Sequence, residues 1–200
     1  MEATTSHIEA EIKFQAPGPQ ALAQMPEILH DLKLAVHDSG HRILVDCYFD
    51  TADQAIRQSG WALRFRSGES SDGSMVRTLK ALVPADHRGI SKREEQEEIV
   101  PAPDSEWEGK ALLETFKVFQ DRWWWRASND RLEVEASYDF VQWRKADAER
   151  EVTLCDDDFA IEIELKSGES SDLAAIATSF AAHTSWQPAL WSKFSRGLEL

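Results

Sequence analysis

Ile8-Glu9-Ala10-Glu11-Ile12-Lys13-Phe14 alternates apolar and charged residues without a break. Successive side chains of an extended strand point to opposite faces, so the stretch predicts a strand with one apolar face and one face carrying Glu9, Glu11 and Lys13. Two carboxylates two residues apart can share a hard divalent cation through oxygen. An ammonium one step further along can hold an anion that the same cation touches. A solvent-facing strand with a few surface charges has the same spacing, so the reading depends on whether the pattern recurs.

It recurs along the chain. Trp61-Ala62-Leu63-Arg64-Phe65-Arg66 places Arg64 and Arg66 opposite Trp61, Leu63 and Phe65, and in residues 75–83 Thr78 and Lys80 share a side. Arg93, Glu95 and Glu97 are in register within 90–100, where Lys92, Glu94 and Glu98 on the other face predict an exposed edge. Arg122, Trp124 and Arg126 share a side of 122–126, Leu132-Glu133-Val134-Glu135-Ala136 alternates again, and Phe159-Ala160-Ile161-Glu162-Ile163-Glu164-Leu165 repeats the paired glutamates. A strand is also expected over 41–50, with Asp50 or Thr51 capping a short helical run that ends at Ser59-Gly60, and another somewhere within 141–154. Helical spacing predicts helices over 20–34, 104–119, 172–183 and 192–198.

These elements predict an α+β fold, mostly antiparallel, with several strands pairing an apolar face with a charged one. Helices covering the apolar faces would leave the charged faces toward solvent, as in an open sheet, or toward each other, as in a closed barrel with a polar lumen. Periodicity fits both. The charged set, Glu9, Glu11, Glu95, Glu97, Glu133, Glu135, Glu162 and Glu164 beside Lys13, Arg64, Arg66, Lys80, Arg93, Arg122 and Arg126, is dense enough to suggest a cavity built around charged cargo.

The 200 residues, 42% hydrophobic and 29% charged, suit one domain spanning 1–200. A formal net charge of -14 argues against nucleic acid or an anionic membrane as partner, and means that an anionic ligand needs a locally basic pocket. Cys47 and Cys155 lie far apart without metal-ligand spacing, which points to a reducing compartment. The first six residues lack the basic and apolar regions of a leader, and no apolar run reaches membrane-spanning length, so a soluble cytoplasmic protein is expected. His7, His37, His41, His87 and His183 show no ligand spacing.

The ordered set resembles a known family. Glu9-x-Glu11-x-Lys13, Tyr48-Phe49-Asp50-Thr51, Leu63-Arg64-Phe65-Arg66, Thr78-Leu79-Lys80, Arg93-x-Glu95, Arg122 with Trp125, Glu133-Val134-Glu135 with Asp139, Glu162-x-Glu164-Leu165-Lys166-Ser167-Gly168 and Ser192-Lys193-Phe194-Ser195-Arg196-Gly197 are similar to the CYTH domain, the triphosphate tunnel metalloenzymes, and look most like the bacterial inorganic triphosphatases. The resemblance implies an eight-stranded antiparallel closed β-barrel with helices packed outside, its tunnel holding a triphosphate. By position, Lys13, Arg64, Arg66, Lys80, Arg93, Arg122 and Lys193 would grip phosphate oxygens. Glu9, Glu11, Glu162 and Glu164 would bind Mg2+ or Mn2+, and Glu135 could orient the attacking water, with Lys13 and Lys80 as further catalytic groups. The C-terminal helical, His-rich domain carried by many such relatives is not expected here.

The activity so implied is metal-dependent hydrolysis of inorganic triphosphate to pyrophosphate and phosphate by a monomer or homodimer. Alternatives within the same tunnel are a thiamine or nucleoside triphosphatase, for which Trp124 could supply an aromatic shelf, a class IV adenylate cyclase, and a non-catalytic polyphosphate- or nucleotide-binding module. Four retained metal-site glutamates weigh against the last, since binding an anion is better served by fewer carboxylates. Trp123 and Trp125 are expected to pack under a helix, Arg126 to be peripheral, Tyr48 to be core, and Glu95, Glu97 and Glu133 are divided between structural and site roles.

Overall fold

The computed structural model describes residues 5–146 and 152–200. Its elements in order are β1 (Thr5–Gln15), α1 (Ala21–Asp31), β2 (Ala35–Thr51), α2 (Ala55–Gln58), β3 (Trp61–Ser67), β4 (Met75–Ala81), β5 (Ile90–Val100), β6 (Glu106–Trp107), β7 (Lys110–Ser128), β8 (Glu133–Ala146), β9 (Val152–Ser167), α3 (Ser170–Thr184) and α4 (Lys193–Glu199). All ladders are antiparallel. The order β2-β3-β4-β5-β1-β9-β8-β7 closes on itself through β2–β7, giving an eight-stranded barrel, and β6 pairs only with β7. Closure leaves no open edge among those eight, so 90–100, read as an edge, lies between β4 and β1.

Two strands are much longer than their sequence patterns suggest. β2 begins at Ala35, and β7 covers most of the stretch expected as a helix over 104–119. Trp107, Leu112, Leu113 and Phe116 do fall near helical spacing, but Phe116, Val118, Gln120 and Arg122 are buried alternately, which is a strand's period. Before them Glu108 and Gly109 both have positive φ, 49° and 77°, as a two-residue hairpin turn requires, and Trp107 pairs with Lys110 across it. The stretch 141–154 holds the end of β8 and the start of β9 rather than one strand, and the connection 147–151 lies outside the described residues.

The apolar core lies outside the barrel wall. α1 and α3 place Met25, Ile28, Leu29, Leu173, Ile176 and Phe180 on the outward apolar residues of β1, β8 and β9, among them Ile12, Phe14, Val134, Ala136, Ile161 and Ile163. Trp123 and Trp125 pack against the same cluster, as expected. A second cluster joins Tyr48, Phe116, Trp143 and Phe194 beneath α4, and a third joins Ile56, Leu63 and Phe65 near α2. Asp50 anchors α2: its carboxylate accepts from the amides of Ile56 at 3.0 Å and Arg57 at 3.2 Å. With apolar side chains spent on the outer face, the charged set is left to fill the lumen.

Candidate active site

Strand register builds the site one layer at a time. Glu9 faces Arg93, Glu11 faces Ser91 on one side and Glu164 on the other, and Lys13 faces Glu162. Around the wall Lys80 faces Glu95, Thr78 faces Glu97 and Arg64, and Asp46 faces Arg66. Arg42 and Asp139 flank Arg122, while Arg126 and Glu164 flank Glu135. The side chains that converge line a tunnel cavity of about 290 Å3.

All twelve residues expected to grip phosphate, bind metal or activate water line that cavity: Lys13, Arg64, Arg66, Lys80, Arg93, Arg122, Lys193, Glu9, Glu11, Glu135, Glu162 and Glu164. Glu95, Glu97, Tyr48 and Arg126 line it too. Arg126 is exposed and lines the cavity only at its rim, in keeping with the peripheral place expected for it, and Tyr48 serves core and cavity at once. Glu133 does not line it; a register irregularity beside Val134 intervenes, and Glu133 lies 3.7 Å from His37. Trp124 packs across Gly40 with the Arg42 guanidinium 5.6 Å from its ring centre, and does not form the shelf suggested for it.

Sequence reasoning missed Arg42, Glu69, Lys166, His7 and Ser137 as lining residues, and Asp46 and Asp139 as buried groups behind the wall. Some were detectable. Arg42 and Asp46 share a strand face with Tyr48, Ser137 and Asp139 continue the face of Glu135, and Lys166 continues that of Glu164.

The cations and carboxylates are interleaved. Lys80 lies 3.0 Å from Glu9 and 3.2 Å from Glu95, and Arg93 donates to Glu9 at 3.0 Å and also to Glu11. Glu162 is shared by Lys13 at 2.8 Å, Lys193 at 2.8 Å and Arg122 at 2.7 Å. Burial opposes the charge on Lys13, but Glu11 and Glu162 outweigh it and raise its pKa. Lys193 goes the other way: burial lowers its pKa, and Asp139 and Glu162 do not fully compensate while Arg122 and Lys13 add to the depression. Burial pushes the Glu164 carboxyl up; Lys166 opposes this and Glu9 reinforces it.

Two aspartates with no exposed surface brace the basic wall from behind. Asp46 accepts from Arg66 Nε at 2.6 Å and Nη2 at 2.9 Å and from Gln120 at 2.8 Å, with Arg64 Nη1 at 3.6 Å. Asp139 accepts from Arg122 Nε at 2.6 Å and Nη2 at 2.5 Å, and from Lys193 at 2.9 Å. Both arginines are thus oriented by forked pairs before any ligand arrives.

α4 delivers Lys193 from outside the barrel. Ser192 caps it reciprocally with Ser195, Trp143 donates its indole N–H to the Lys193 carbonyl at 2.8 Å, and the Arg196 guanidinium lies against both Trp143 and Trp191, 4.7 and 5.0 Å from their ring centres. Gly197 is needed for the seat, since a Cβ there would overlap the Phe116 ring. Beside this end of the tunnel a second cavity of about 320 Å3 shares Glu11, Lys13 and Arg93 and adds apolar walls from Leu82, Val83, Leu190, Trp191 and Phe194.

For a divalent cation the donor chemistry fits, because carboxylate oxygens suit Mg2+ and Mn2+. Among the described residues no three acidic, His or Cys side chains converge as a ready-made metal site. Glu11 and Glu164, direct cross-strand partners, could hold one with Glu9 beside them, although both Glu9 oxygens also take Lys80 or Arg93 and the Glu162 oxygens take three cations.

The fold has close counterparts among solved structures. HpAC1 from Hippeastrum, described as having a dominant triphosphatase activity, is 18% identical with a TM-score of 0.64, covering 96% of this chain and 95% of that one. A Bacillus halodurans protein described in adenylate cyclase terms is 18% identical with a TM-score of 0.60, covering 96% and 97%. The PH1819 protein of Pyrococcus horikoshii is 16% identical with a TM-score of 0.60, covering 96% and 98%. No curated protein sequence matches the chain. At these identities the likeness establishes the fold alone; the sequence match is to the CYTH domain over residues 7–198, and with the closed barrel and its charged lumen it places this chain in the CYTH domain family.

Proposed function

We propose that this chain is a single CYTH unit that hydrolyses inorganic triphosphate to pyrophosphate and phosphate in the barrel tunnel, with Mg2+ or Mn2+ held by Glu9, Glu11 and Glu164, with Glu162 in reserve beside them. The observation that carries the reading is the basic wall itself. Ten Lys and Arg side chains line the cavity, and Arg42 Nε and Arg64 Nε are buried there without a hydrogen-bond partner among the described residues. Buried donors of that kind call for an acceptor, and phosphate oxygens supply several.

Charge balance supports metal dependence. Eight lining glutamates with Asp46 and Asp139 behind them offset the ten cations, so the tunnel has no surplus positive charge to receive a polyanion. A divalent cation held by those carboxylates would offset part of the anion's charge and would supply charge stabilisation to the transferring phosphoryl group. Within that frame Arg64, Arg66, Arg122 and Lys193 bind and orient the phosphate chain, Lys13, Lys80 and Arg93 hold its other side, and Glu135 takes a proton from the attacking water. Phosphoryl transfer asks mainly for such positioning, so no covalent nucleophile is needed.

The apolar second cavity favours one additional reading, acceptance of a triphosphate esterified to an organic group. Phosphate release from tripolyphosphate, ATP and thiamine triphosphate, measured with Mg2+, Mn2+ or EDTA, tests both. Metal-dependent turnover of tripolyphosphate that disappears in the Glu9→Gln, Glu11→Gln double variant is the expected result. Binding without release under any metal would leave a polyphosphate-binding module, and a cyclic nucleotide product from ATP a cyclase.

A further inference from the structure

We infer that the Ser137 hydroxyl, together with Glu135, seats the attacking water; the inference rests on the hydrolytic reading above. Ser137 is 2% exposed, it lines the tunnel cavity, and its Oγ has no hydrogen-bond partner among the described residues. A buried hydroxyl without a partner costs stability, and one kept in a cavity wall is explained by a guest that pairs with it.

The neighbours decide which guest. Ser137 faces Glu162 on β9 and follows Glu135 by two residues, so all three point into the lumen. Glu162 is saturated by three cations and Asp139, two residues further on, by Arg122 and Lys193. Neither needs the serine proton. Glu135 is only half engaged: one oxygen takes Arg42 at 2.7 Å, while the other has only Arg126 at 3.5 Å. The spare acceptor of Glu135 and the unpaired Ser137 Oγ therefore stand on one strand face, about 7 Å of backbone apart.

A water that donates one proton to Glu135 and accepts the Ser137 proton, over hydrogen bonds of about 2.8 Å, satisfies both groups. Its remaining lone pair then faces the lumen. In the reaction its oxygen bonds to the terminal phosphorus and the bridging P–O bond breaks. The bond's electron pair leaves on pyrophosphate, and the water proton passes to Glu135. Ser137 forms no covalent bond; it fixes the direction of the lone pair.

Ser137→Ala separates this role from a structural one because the two predict opposite signs in stability. With tripolyphosphate as substrate, kcat falls about tenfold, KM stays within about twofold, and the thermal midpoint without ligand stays level or rises, since an unsatisfied polar group has been removed. Ser137→Cys, nearly isosteric but a weaker hydrogen-bonding group, falls between. Unchanged kcat, a raised KM at constant kcat, or a lowered midpoint that accounts for the lost activity each overturns the inference. If the wild-type protein releases no phosphate, the hydrolytic reading itself has failed and this inference goes with it; if the wild type is active and the alanine variant equally so, only the role of Ser137 is lost.

Discussion

Asp46 and Arg66 stand opposite each other in the β2–β3 ladder and are joined by two hydrogen bonds, 2.6 Å to Oδ1 and 2.9 Å to Oδ2, with the carboxylate fully buried. The pair makes the basic wall affordable in the absence of ligand. Replacing Asp46 with Ala removes the forked partner of Arg66, leaving it Glu69 at 3.2 Å, and takes away one of the carboxylates near Arg64. Breaking a buried pair from one side costs about 3–5 kcal/mol, so urea unfolding of Asp46→Ala at neutral pH is expected to show a loss in that range.

The same carboxylate sets an acid dependence. Burial raises its pKa, but Arg66 and Arg64 outweigh burial and hold it well below the usual carboxylate range. Between the unfolded value, about 3.9, and that lower native value the unfolded chain binds the proton and the folded one does not. The contribution of Asp46 is therefore complete above pH about 4 and is lost as pH falls through the native pKa. Unfolding free energies measured from pH about 7 down to about 2 should fall less steeply in Asp46→Asn than in the wild type.

Arg64 offers the clearest binding test. Its guanidinium lines the tunnel with a buried Nε that has no partner among the described residues, and it donates to Thr78 at 2.9 Å rather than committing itself to one carboxylate. Charge-assisted hydrogen bonds contribute about 1.5–3 kcal/mol each, so Arg64→Ala should weaken tripolyphosphate binding roughly ten- to a hundredfold in calorimetric titration. Arg64→Lys should recover only part of that, because an ammonium cannot form the fork.

Arg196 is expected to act at a distance through α4. It is paired with Asp156 at 2.7 Å and with Asp158, and it covers two indole rings that meet edge to face. Arg196→Ala should cost about 1–3 kcal/mol in stability and raise the KM for tripolyphosphate as Lys193 loses its fixed approach. A variant with normal KM and wild-type stability would mean that α4 is held by Trp143 and the Phe116–Phe194 contact alone.

Gly197→Ala tests the seat of the same helix with a single methyl group. Overpacking against Phe116 should lower stability by about 1–3 kcal/mol, and ligand-induced stabilisation should shrink in parallel.

Much of the site was legible because a strand's period of two sorts residues onto faces without any knowledge of the partners. Once Glu9, Glu11 and Lys13 were placed on one face, the matching faces around Arg64, Arg93, Glu135 and Glu162 followed by the same rule. What was misread is equally physical. Trp107, Leu112, Leu113 and Phe116 satisfy a helical spacing by coincidence, and the positive-φ pair Glu108-Gly109 was the local sign of a hairpin instead. Asp46 could not be assigned from its neighbours, because its role depends on Arg66 on the next strand and Gln120 on β7, 20 and 74 residues away. The second cavity likewise joins the segment after β4 to the segment before α4, which no local pattern connects.

The β2–β7 closure has a consequence for how the protein comes into being. The lumen draws on every one of the eight barrel strands, and its outermost contributors, His7 and Phe194, bracket nearly the whole chain. A ladder that pairs Ala35 with Ser128 and a first strand that must wait for β9 make the contacts strongly non-local, and such topologies pay loop-closure entropy late and fold slowly. Arg64 on β3 and Glu162 on β9 stand four strands apart around the ring, so no run of four adjacent strands holds both, and recovery of anion binding during refolding should coincide with the final cooperative step.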